Sequence, residues 1–193
     1  TQAGQLYDPL GGLADLKARR VRFIGEPRDR IGEDYLRILR FFRFHAWYGR
    51  DGLDPEGLAA CASLAEGIAG LSNERLGQEM KKLLAAPDPA PATAAMAQCG
   101  VLAHVLEGAS VRALAPLVHI EGLWGLAPDP LRRLAALGGA DTAARLRLSR
   151  AEATRLERLG AAATGPAGAG ELGYRLGRAE AEEVLALRAA LLE

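Results

Sequence analysis

Apolar residues recur at spacings of three and four along almost the whole chain after Pro27, and this pattern constrains the fold most strongly. Such a period places the apolar side chains on one face of an α-helix. The segments that show it are LAACASLAEGIAGL, RLGQEMKKLL, VRALAPLVHI, LRRLAAL, ATRLERL and AEEVLALRAALL. At roughly 10–14 residues per helix, the pattern predicts about eight to ten helices.

Capping residues mark helix starts in the same part of the chain. An Asp or Ser side chain can accept from the free N–H groups of a first turn, and proline fits there because it has no N–H to donate. The positions with this signal are Asp54-Pro55, Ser72, Asp88-Pro89, Asp129-Pro130 and Ser149. Pro116 is expected to kink or split its segment, and residues 160–170 are expected to form a loop. The fold class is therefore predicted to be mainly α.

The first 26 residues have a different composition. Two short runs, Gln5–Tyr7 and Arg20–Ile24, are strand-like. Between them lie an Asp-Pro pair and Gly11-Gly12, which favour turns. We therefore predict a short N-terminal β-hairpin ahead of the helical part.

Bulk properties exclude some classes of protein. The 193 residues carry 24 Lys/Arg and 24 Asp/Glu, so no net charge attracts the chain to nucleic acid or to anionic membranes. Residues 1–50, however, hold ten basic against six acidic residues. No apolar run approaches the ~20 residues of a membrane span. Cys61 and Cys99 lie far apart and lack the spacing of a metal site, so we expect both to be reduced thiols. We expect a cytoplasmic protein with no membrane partner. The sequence does not predict its oligomeric state.

The segment Glu33–Arg50, EDYLRILRFFRFHAWYGR, combines features of a core helix and of a surface helix. Arginines recur at every third position, Arg37, Arg40 and Arg43, among aromatic and aliphatic residues. On one helix, at ~100° per residue, Asp34, Arg37 and Arg40 share an arc of about 120°. The opposite side carries Ile38, Leu39, Phe42 and Ala46. The segment is therefore predicted to be an amphipathic helix with a carboxylate and guanidinium groups on one face.

An aspartate beside an arginine presents a hydrogen-bond acceptor next to donors. Only some nucleobases have the complementary order of donor and acceptor on their pairing edge. Cytosine and adenine offer an amino donor beside a ring-nitrogen acceptor, whereas guanine and uracil offer a carbonyl beside an N–H. Asp34 with Arg37 would accept the first two bases and reject the others, whose polar groups would stay unpaired. Glu33 would hold Arg37, and Arg40 and Arg43 would bind phosphates. Spacing alone favours the simpler alternative of ordinary surface ion pairs.

Three motifs follow one another in the first half of the chain. They are D-x-x-G-G-x-x-D-L at Asp8–Leu16, E-D-x-x-R at Glu33–Arg37, and E-R-x-x-x-E within Ser72–Leu84. In this order they resemble motifs of the class II nucleotidyltransferase family, which comprises bacterial CCA-adding tRNA nucleotidyltransferases and poly(A) polymerases. The first resembles the family's flexible joint between head and neck, the second its amino-acid template for the incoming nucleotide, and the third its neck-stabilising motif. The resemblance is close over residues 5–86 and looser beyond.

The resemblance implies an enzyme that adds C, C and A to tRNA 3′ ends from CTP and ATP without a nucleic-acid template. Its partners would be tRNA and nucleoside triphosphates. It divides the chain into the end of a head domain (1–26), a neck (27–86) and a tRNA-contacting, C-terminally shortened body (87–193). The residues that it assigns to the nucleotide are Asp34, Arg37, Arg40 and Arg43, supported by Glu33; those that it assigns to the hinge and the neck are Asp8, Gly11, Gly12, Asp15, Arg75 and Glu79.

The catalytic elements of the family are absent from this sequence. It contains no D-x-D metal pair and no R-R-D-F-T-x-N-A. Phosphoryl transfer needs carboxylates that hold Mg²⁺ against the phosphates. We therefore expect Mg²⁺ to be bound by a head domain upstream of Thr1, and this chain alone to be inactive. Asp8 and Asp15, beside a glycine turn, are expected to cap backbone N–H groups and not to bind a metal.

Several alternatives stay open at this level. The same motifs would serve a poly(A) polymerase or an enzyme that adds only A. A helical RNA-binding module without catalysis would use the arginines for phosphates alone. Seven arginines between residues 132 and 158 fit either a phosphate track or a solvated helix face. Trp47 and Tyr48 fit core packing more simply than base stacking, and His45 is expected in the core.

Overall fold

The structure, a computed structural model, describes residues 7–193 and confirms that the chain is mainly helical. Within these residues there are thirteen α-helices and no strand, so the helices are shorter and more numerous than the pattern predicts. They are α1 (Gly12–Ala18), α2 (Pro27–Glu33), α3 (Leu36–Tyr48), α4 (Pro55–Ser63), α5 (Asn73–Leu84), α6 (Ala90–Gln98), α7 (Val101–Val105), α8 (Leu114–Trp124), α9 (Pro130–Leu137), α10 (Thr142–Arg145), α11 (Arg150–Thr164), α12 (Ala169–Leu176) and α13 (Arg178–Leu192). A 3-10 helix, Ala65–Gly70, lies between α4 and α5.

Capping side chains begin helices where the sequence predicts them. Asp54 and Asp129 each accept from a first-turn N–H, of α4 and α9, at 3.0 and 2.8 Å. Ser72 and Ser149 do the same for α5 and α11. Asp88 accepts from the first N–H of α6 at 3.0 Å. Local chemistry therefore sets the starts of these five helices.

Two smaller expectations about the helices need adjustment. Pro116 lies in the first turn of α8 and does not split it, because a proline there removes no intrahelical hydrogen bond. The expected loop at residues 160–170 is shorter than predicted, since α11 continues to Thr164 and α12 begins at Ala169.

The predicted N-terminal β-hairpin is not formed by the described residues. Of Gln5–Tyr7, the first two residues lie outside them, and Arg20–Ile24 is neither helix nor strand. The residues between form α1 instead, because both carboxylate oxygens of Asp8 accept from its first two N–H groups at 2.8 Å. With a helix in place of the turn, Arg20–Ile24 has no adjacent strand among residues 7–193 to pair with.

The first apolar cluster forms around α3 and α5. Leu39 and Phe42 of α3 pack with Leu76, Met80 and Leu83 of α5, and each of these side chains is at most 1% exposed. Further buried members from α2, α4, α6 and α7 are Ile31, Ala60, Cys61, Met96, Val101 and Val105. The apolar side of α3 is therefore fully used in packing, which leaves its arginines on the other side.

A close backbone approach occurs between α5 and the end of α10. A side-chain carbon on Gly77 would lie 1.9 Å from the carbonyl oxygen of Leu146, far inside contact distance. Because that oxygen belongs to the backbone, it cannot turn aside as a flexible side chain would. Gly77 therefore fixes how closely these two segments pack.

A second apolar cluster joins α8, α9, α11, α12 and α13. Its members include Leu117, Leu159, Leu172, Val184 and Leu187, each at most 3% exposed. Helices α8 and α9 contribute side chains to both clusters. They consequently link the first half of the chain to the second.

Glu121, Arg132 and Arg133 form a buried ion network, and each is at most 2% exposed. The two arginines each place a guanidinium nitrogen 2.7 Å from a different oxygen of Glu121. Arg133 also donates to the carbonyl oxygens of Leu84 and Ala86, at 2.6 and 2.5 Å. The network therefore ties the end of α5 in the first cluster to α8 and α9.

The cysteines are unpaired thiols, as predicted. Cys61 is fully buried and Cys99 partly buried. Burial raises the pKa of the Cys61 thiol to about 12, so it stays protonated. In the described part of the chain, no helix combines the length and the apolar content that crossing a bilayer requires.

Replacing Gly77 by alanine is expected to lower the free energy of unfolding by about 1–3 kcal/mol, because the backbones must separate to admit the methyl group. Gly160 in α11 is the matched control, since a side-chain carbon there would meet no atom within 4 Å. Gly160→Ala should raise stability by about 0.5–1 kcal/mol through helix propensity. Urea denaturation followed by circular dichroism measures both changes, and equal effects of the two substitutions would contradict the close approach.

Glu121→Gln is expected to lower the free energy of unfolding by about 3–5 kcal/mol, because the buried Arg133 guanidinium loses its counter-charge and Arg132 keeps only Glu183, 3.6 Å away. Glu171→Gln removes only the exposed ion pair with Arg175 and should leave the unfolding midpoint nearly unchanged. Thermal and urea denaturation of the two variants make the comparison. A loss for Glu121→Gln no larger than for the control would show that the network is not stabilising.

Candidate nucleotide-binding site

The segment Glu33–Arg50 is not the single helix that the sequence predicts. Helix α2 ends at Glu33, Asp34 is extended with φ −160° and ψ 107°, and α3 begins at Leu36. The Asp34 carboxylate accepts from the Leu36 N–H at 3.1 Å, a capping contact that favours an aspartate outside the helix. Asp34 therefore lies at the corner between two helices, while the arginines follow on α3.

Arg37, Arg40 and Arg43 lie along α3, and we call this row the arginine ridge. Their side chains are 27%, 45% and 19% exposed, respectively. The buried residues of the same helix include Ile38, Leu39 and Phe42, and Ala46 is partly buried. The amphipathic division of this helix is therefore as predicted, although the helix starts later.

Glu33 contacts the Arg37 guanidinium across the corner. Arg37 Nη1 donates both to a carboxylate oxygen of Glu33 and to the Arg30 carbonyl, the latter at 2.6 Å. The Arg30 side chain donates to Glu33 as well, at 2.6 and 2.7 Å. The hydrogen bond from Arg37 and the charge of Arg30 lower the pKa of Glu33. Arg37 is consequently held at the start of the ridge by an ionised carboxylate.

Asp34 is paired with Arg75 of α5 and not with Arg37. Arg75 Nη2 lies 2.7 Å from Asp34 Oδ2, while Oδ1 faces the Leu36 N–H. Partial burial alone would raise the pKa of Asp34, but the Leu36 N–H and the Arg75 guanidinium outweigh it and lower this pKa. Asp34 is therefore an oriented carboxylate, 27% exposed, where α2, α3 and α5 meet.

Glu79 of α5 lies beneath the arginine ridge, with 4% of its side chain exposed. Its oxygens are 2.9 Å from Arg43 Nε, 3.7 Å from Lys82 Nζ and 3.8 Å from Arg40 Nε. The contact with Arg43 is short but poorly aligned, so it is an ion pair without a hydrogen bond. The Arg43 guanidinium also stacks over the ring of Phe44, 4.4 Å from its centre. Glu79 therefore holds the ridge on α5 and leaves Arg40 half exposed.

A pocket of about 240 Å³ opens beside the arginine ridge, and we call it the ridge pocket. It is lined by Arg30, Arg37, Arg40, Phe23, Phe41 and Phe44, together with Val21, Arg22 and Ile24. Phe23 stacks on Phe41, with ring centres 5.3 Å apart. Guanidinium groups beside aromatic walls suit a nucleotide, whose phosphates are anionic and whose base has two flat faces. Asp34 and Arg43 do not line this pocket.

The residues predicted for the hinge lie at the start of α1. Asp8 caps this helix, and the Leu13 N–H is the main cause that lowers the pKa of its carboxyl. Gly11 has φ 68°, in the left-handed region that favours glycine, and Gly12 begins the helix. Asp15 differs from the expectation, since its carboxylate pairs with the Arg22 guanidinium at 2.6 Å and, within residues 7–193, caps no backbone N–H.

The end of α3 is more exposed than its aromatic residues suggest. His45 is buried, as expected, and its burial lowers the pKa of its imidazole. Trp47 donates its indole N–H to the Lys82 carbonyl at 2.7 Å yet remains 43% exposed, and Tyr48 is 61% exposed. Core packing, the simpler of the two interpretations, therefore fails for Tyr48 and holds only in part for Trp47.

Three of the seven arginines between residues 132 and 158 are held in ion pairs inside the protein. Arg132 and Arg133 are buried in the network described above, so they face neither solvent nor RNA. Arg155 bridges two helices, with 2.9 Å to Asp129 and 2.7 Å to Glu183. Internal ion pairs use the guanidinium groups of these three residues, a role that neither predicted alternative included, and for the other four arginines both alternatives stay predictions.

The ridge pocket contains residues that sequence reasoning did not identify. Arg30, Glu33 and Arg37 follow one another at spacings of three and four, and this signal could have included Arg30 in the site. Phe23 lies in the run that was predicted to be a strand, and no local pattern connects it with α3. Only the tertiary fold brings Phe23 against the ridge.

Known proteins match different parts of this chain. A family model described as the probable RNA and SrmB-binding site of polymerase A matches residues 52–112. The human mitochondrial CCA tRNA nucleotidyltransferase 1 is 51% identical over 86 residues, which are 42% of this chain and 19% of the relative. The mouse protein of the same name is 39% identical over 139 residues, or 69% of this chain and 31% of the relative. The chain thus spans less than one third of the length of these relatives.

A solved structure has the same fold over nearly the whole chain. It is the CCA-adding enzyme of Bacillus stearothermophilus in complex with CTP, at a TM-score of 0.69 and 24% identity. The match covers 98% of this chain and 50% of that one. The matched family region, the identity to the two relatives and the ordered motifs agree with this fold. The chain therefore belongs to the family of CCA-adding tRNA nucleotidyltransferases and poly(A) polymerases.

Proposed function

We propose that this chain is the nucleotide-selecting and RNA-contacting part of a template-independent tRNA nucleotidyltransferase, which adds C and A from CTP and ATP to tRNA 3′ ends. The observation that carries the proposal is the corner at Glu33–Arg37, where an oriented carboxylate precedes a held guanidinium at the start of the arginine ridge. The names of the relatives and the fold shared with an enzyme solved with CTP support it.

Selection would rest on the pairing edge of the base. Asp34 would accept from the exocyclic amino group of cytosine or adenine, and Arg37 would donate to the adjacent ring nitrogen. Guanine and uracil place a carbonyl opposite Asp34 and an N–H opposite Arg37. Asp34 would then face another acceptor and Arg37 another donor, so these two side chains and the two polar groups of the base would lack hydrogen-bond partners. Unsatisfied polar groups in a binding site reject a ligand strongly.

The contacts in the structure are compatible with this pairing. A carboxylate oxygen has two lone pairs, so Asp34 can accept from a base while it keeps Arg75 and the Leu36 N–H. Arg37 uses only Nη1 in its hydrogen bonds to Glu33 and Arg30, so Nε and Nη2 stay available to a base. Its existing contacts would hold the template rigid, which lowers the entropy cost of binding.

The remaining arginines would have different tasks. Arg40 is half exposed and lines the ridge pocket, so we assign it to the phosphates of the nucleotide. Arg43 is mostly covered by Glu79 and Phe44, so it would position the ridge and contribute to the nucleotide through its charge. Arg75 and Glu79, both on α5, would hold the template corner and the ridge.

We assign no magnesium site to the described residues. Within residues 7–193, no three His, Cys, Asp or Glu side chains come together in a way that could hold a metal ion. Phosphoryl transfer in this family needs carboxylates for Mg²⁺. We therefore propose that the metal carboxylates belong to the part of the relatives that this chain does not cover, and that this chain by itself selects a nucleotide without joining it.

The proposal keeps the division into the end of a head (1–26), a neck (27–86) and a tRNA-contacting body (87–193). The first apolar cluster draws residues from both sides of position 86, so neck and body would share one core. The unpaired cysteines support a reducing compartment, and we propose the cytoplasm.

A poly(A) polymerase is the second candidate, and the description of the matched family region favours it. Both activities would use the same Asp34–Arg37 pairing for adenine. Product analysis separates them, because a CCA-adding enzyme extends tRNA that lacks CCA by three nucleotides, whereas a poly(A) polymerase extends generic RNA by many adenosines.

In the protein expressed from its complete reading frame, Asp34→Ala and Arg37→Ala should each reduce the preference for CTP and ATP over GTP and UTP by at least about tenfold, since a charge-assisted hydrogen bond contributes roughly 1.5–3 kcal/mol. Arg28→Ala is the matched control, because Arg28 is exposed and forms no ion pair within the described residues. Incorporation of each nucleotide into tRNA lacking CCA measures the preference. Full selectivity in both variants would rule out the template role.

Arg75→Ala should raise the pKa of Asp34, because burial would then be opposed only by the Leu36 N–H and the more distant charge of Arg40. The wild-type pKa is lowered on folding, so this carboxylate stabilises the fold above its ordinary pKa, and the benefit is lost as the pH falls. The free energy of unfolding of the variant should therefore depend less on pH in the acidic range than that of the wild type. A carboxyl ¹³C NMR titration measures the pKa, and an unchanged value would show that Arg75 does not hold Asp34 in solution.

A further inference from the structure

Gly67, in the 3-10 helix Ala65–Gly70, lies directly against the ring of Tyr35. A side-chain carbon on Gly67 would lie 2.0 Å from both Cδ1 and Cε1 of that ring, so the ring occupies the space of any larger residue. Gly67 does not have a positive φ, and its backbone conformation therefore does not require glycine. Glycine also makes a helix less stable than alanine does. The space needed by the Tyr35 ring is thus the physical reason for glycine at this position.

Tyr35 belongs to the template corner, the segment Glu33–Arg37 between α2 and α3. Its side chain is partly buried and packs against the first apolar cluster. No residue within 7–193 forms a hydrogen bond with the Tyr35 hydroxyl, so the ring alone makes the contacts that hold this side chain. Asp34, the residue before it, is extended and belongs to neither helix. The direction of the Asp34 carboxylate consequently depends on how its neighbour is held.

The segment that receives the Tyr35 ring also supplies the residue that holds Asp34. The 3-10 helix leads directly into α5, and Arg75 in the first turn of α5 binds Asp34 Oδ2 at 2.7 Å. Ser72 caps this turn by accepting from the Arg75 N–H at 3.4 Å. Gly67 and Arg75 are therefore joined by a short run of helical chain, and together they hold both the backbone and the side chain of the corner.

We propose that Tyr35 is a positioning residue for nucleotide selection and that Gly67 provides the seat for its ring. The inference rests on the proposed function, in which Asp34 accepts from the amino group of cytosine or adenine. Hydrogen bonds weaken steeply when donor and acceptor are misaligned, so the direction of the carboxylate matters. The seated ring gives the peptide between Asp34 and Tyr35 one orientation. A tyrosine suits this task because it has few rotatable bonds and loses little entropy when held.

In the protein expressed from its complete reading frame, Tyr35→Ala should reduce the preference for CTP and ATP over GTP and UTP by at least about fivefold, because a shifted carboxylate loses part of a charge-assisted hydrogen bond. Gly67→Ala should have a similar effect, since its methyl group displaces the ring. The ratio of kcat/KM between the nucleotides, on tRNA lacking CCA, measures the preference. A variant that is only less stable lowers all these values together and leaves their ratio unchanged.

Matched controls separate the seated ring from other effects. Tyr35→Phe keeps the ring and should select nucleotides as the wild type does. Gly70→Ala adds a methyl group to the same 3-10 helix, where it would meet no atom within 4 Å, and should also behave as the wild type. The double variant Tyr35→Ala/Gly67→Ala should be no less selective than Tyr35→Ala alone, because no ring is left to displace.

The proposal is overturned if either Tyr35→Ala or Gly67→Ala selects nucleotides as its control does. It is also overturned if the two substitutions reduce selectivity additively, or if Tyr35→Phe loses as much as Tyr35→Ala. Asp34→Ala distinguishes this failure from that of the proposed function. Selectivity that is lost in Asp34→Ala but kept in Tyr35→Ala removes only the positioning role, whereas selectivity that survives Asp34→Ala overturns the proposed function as well.

Discussion

The buried carboxylate of Glu79 fixes α3 on α5, and the candidate site depends on that placement. It lies among Arg40, Arg43 and Lys82, so a negative charge that would be costly to bury alone is compensated by three cations. The apolar residues on the inner side of α3 add a large packed surface to this ion pair. Together the ion pair and the apolar packing fix the position of α3 along α5 and the direction in which its arginine ridge faces.

The template corner is built by the same pair of helices. Arg75, one turn before Glu79 on α5, holds Asp34, while Glu33 holds Arg37. Each group proposed to read a base therefore has its own protein partner before a nucleotide arrives. Rigid donors and acceptors discriminate better than mobile ones, because a mismatched base cannot recruit them into another geometry. The buried network around Glu121 joins the end of α5 to the second apolar cluster and so connects this corner to the rest of the chain.

Sequence reasoning predicted what local chemistry determines. Capping residues correctly predicted the starts of five helices, and the three-residue spacing of the arginines correctly predicted the arginine ridge. It failed where one side chain could serve two local structures. Asp8 caps helix α1 where a hairpin was predicted, and Asp34 lies outside the predicted helix and caps α3. The buried arginines of α9 could not be predicted, because their partner Glu121 lies on another helix and no spacing rule connects them.

The most direct test is an NMR titration of this chain, labelled with ¹⁵N-arginine, with CTP, ATP, GTP and UTP in turn. We expect the Arg37 Nε signal to shift with CTP and ATP and to stay unchanged with GTP and UTP, while the Arg40 signal shifts with all four nucleotides because all carry phosphates. The buried Arg133 signal serves as an internal reference. An Arg37 response that is equal for the four nucleotides would show that this corner does not distinguish the bases.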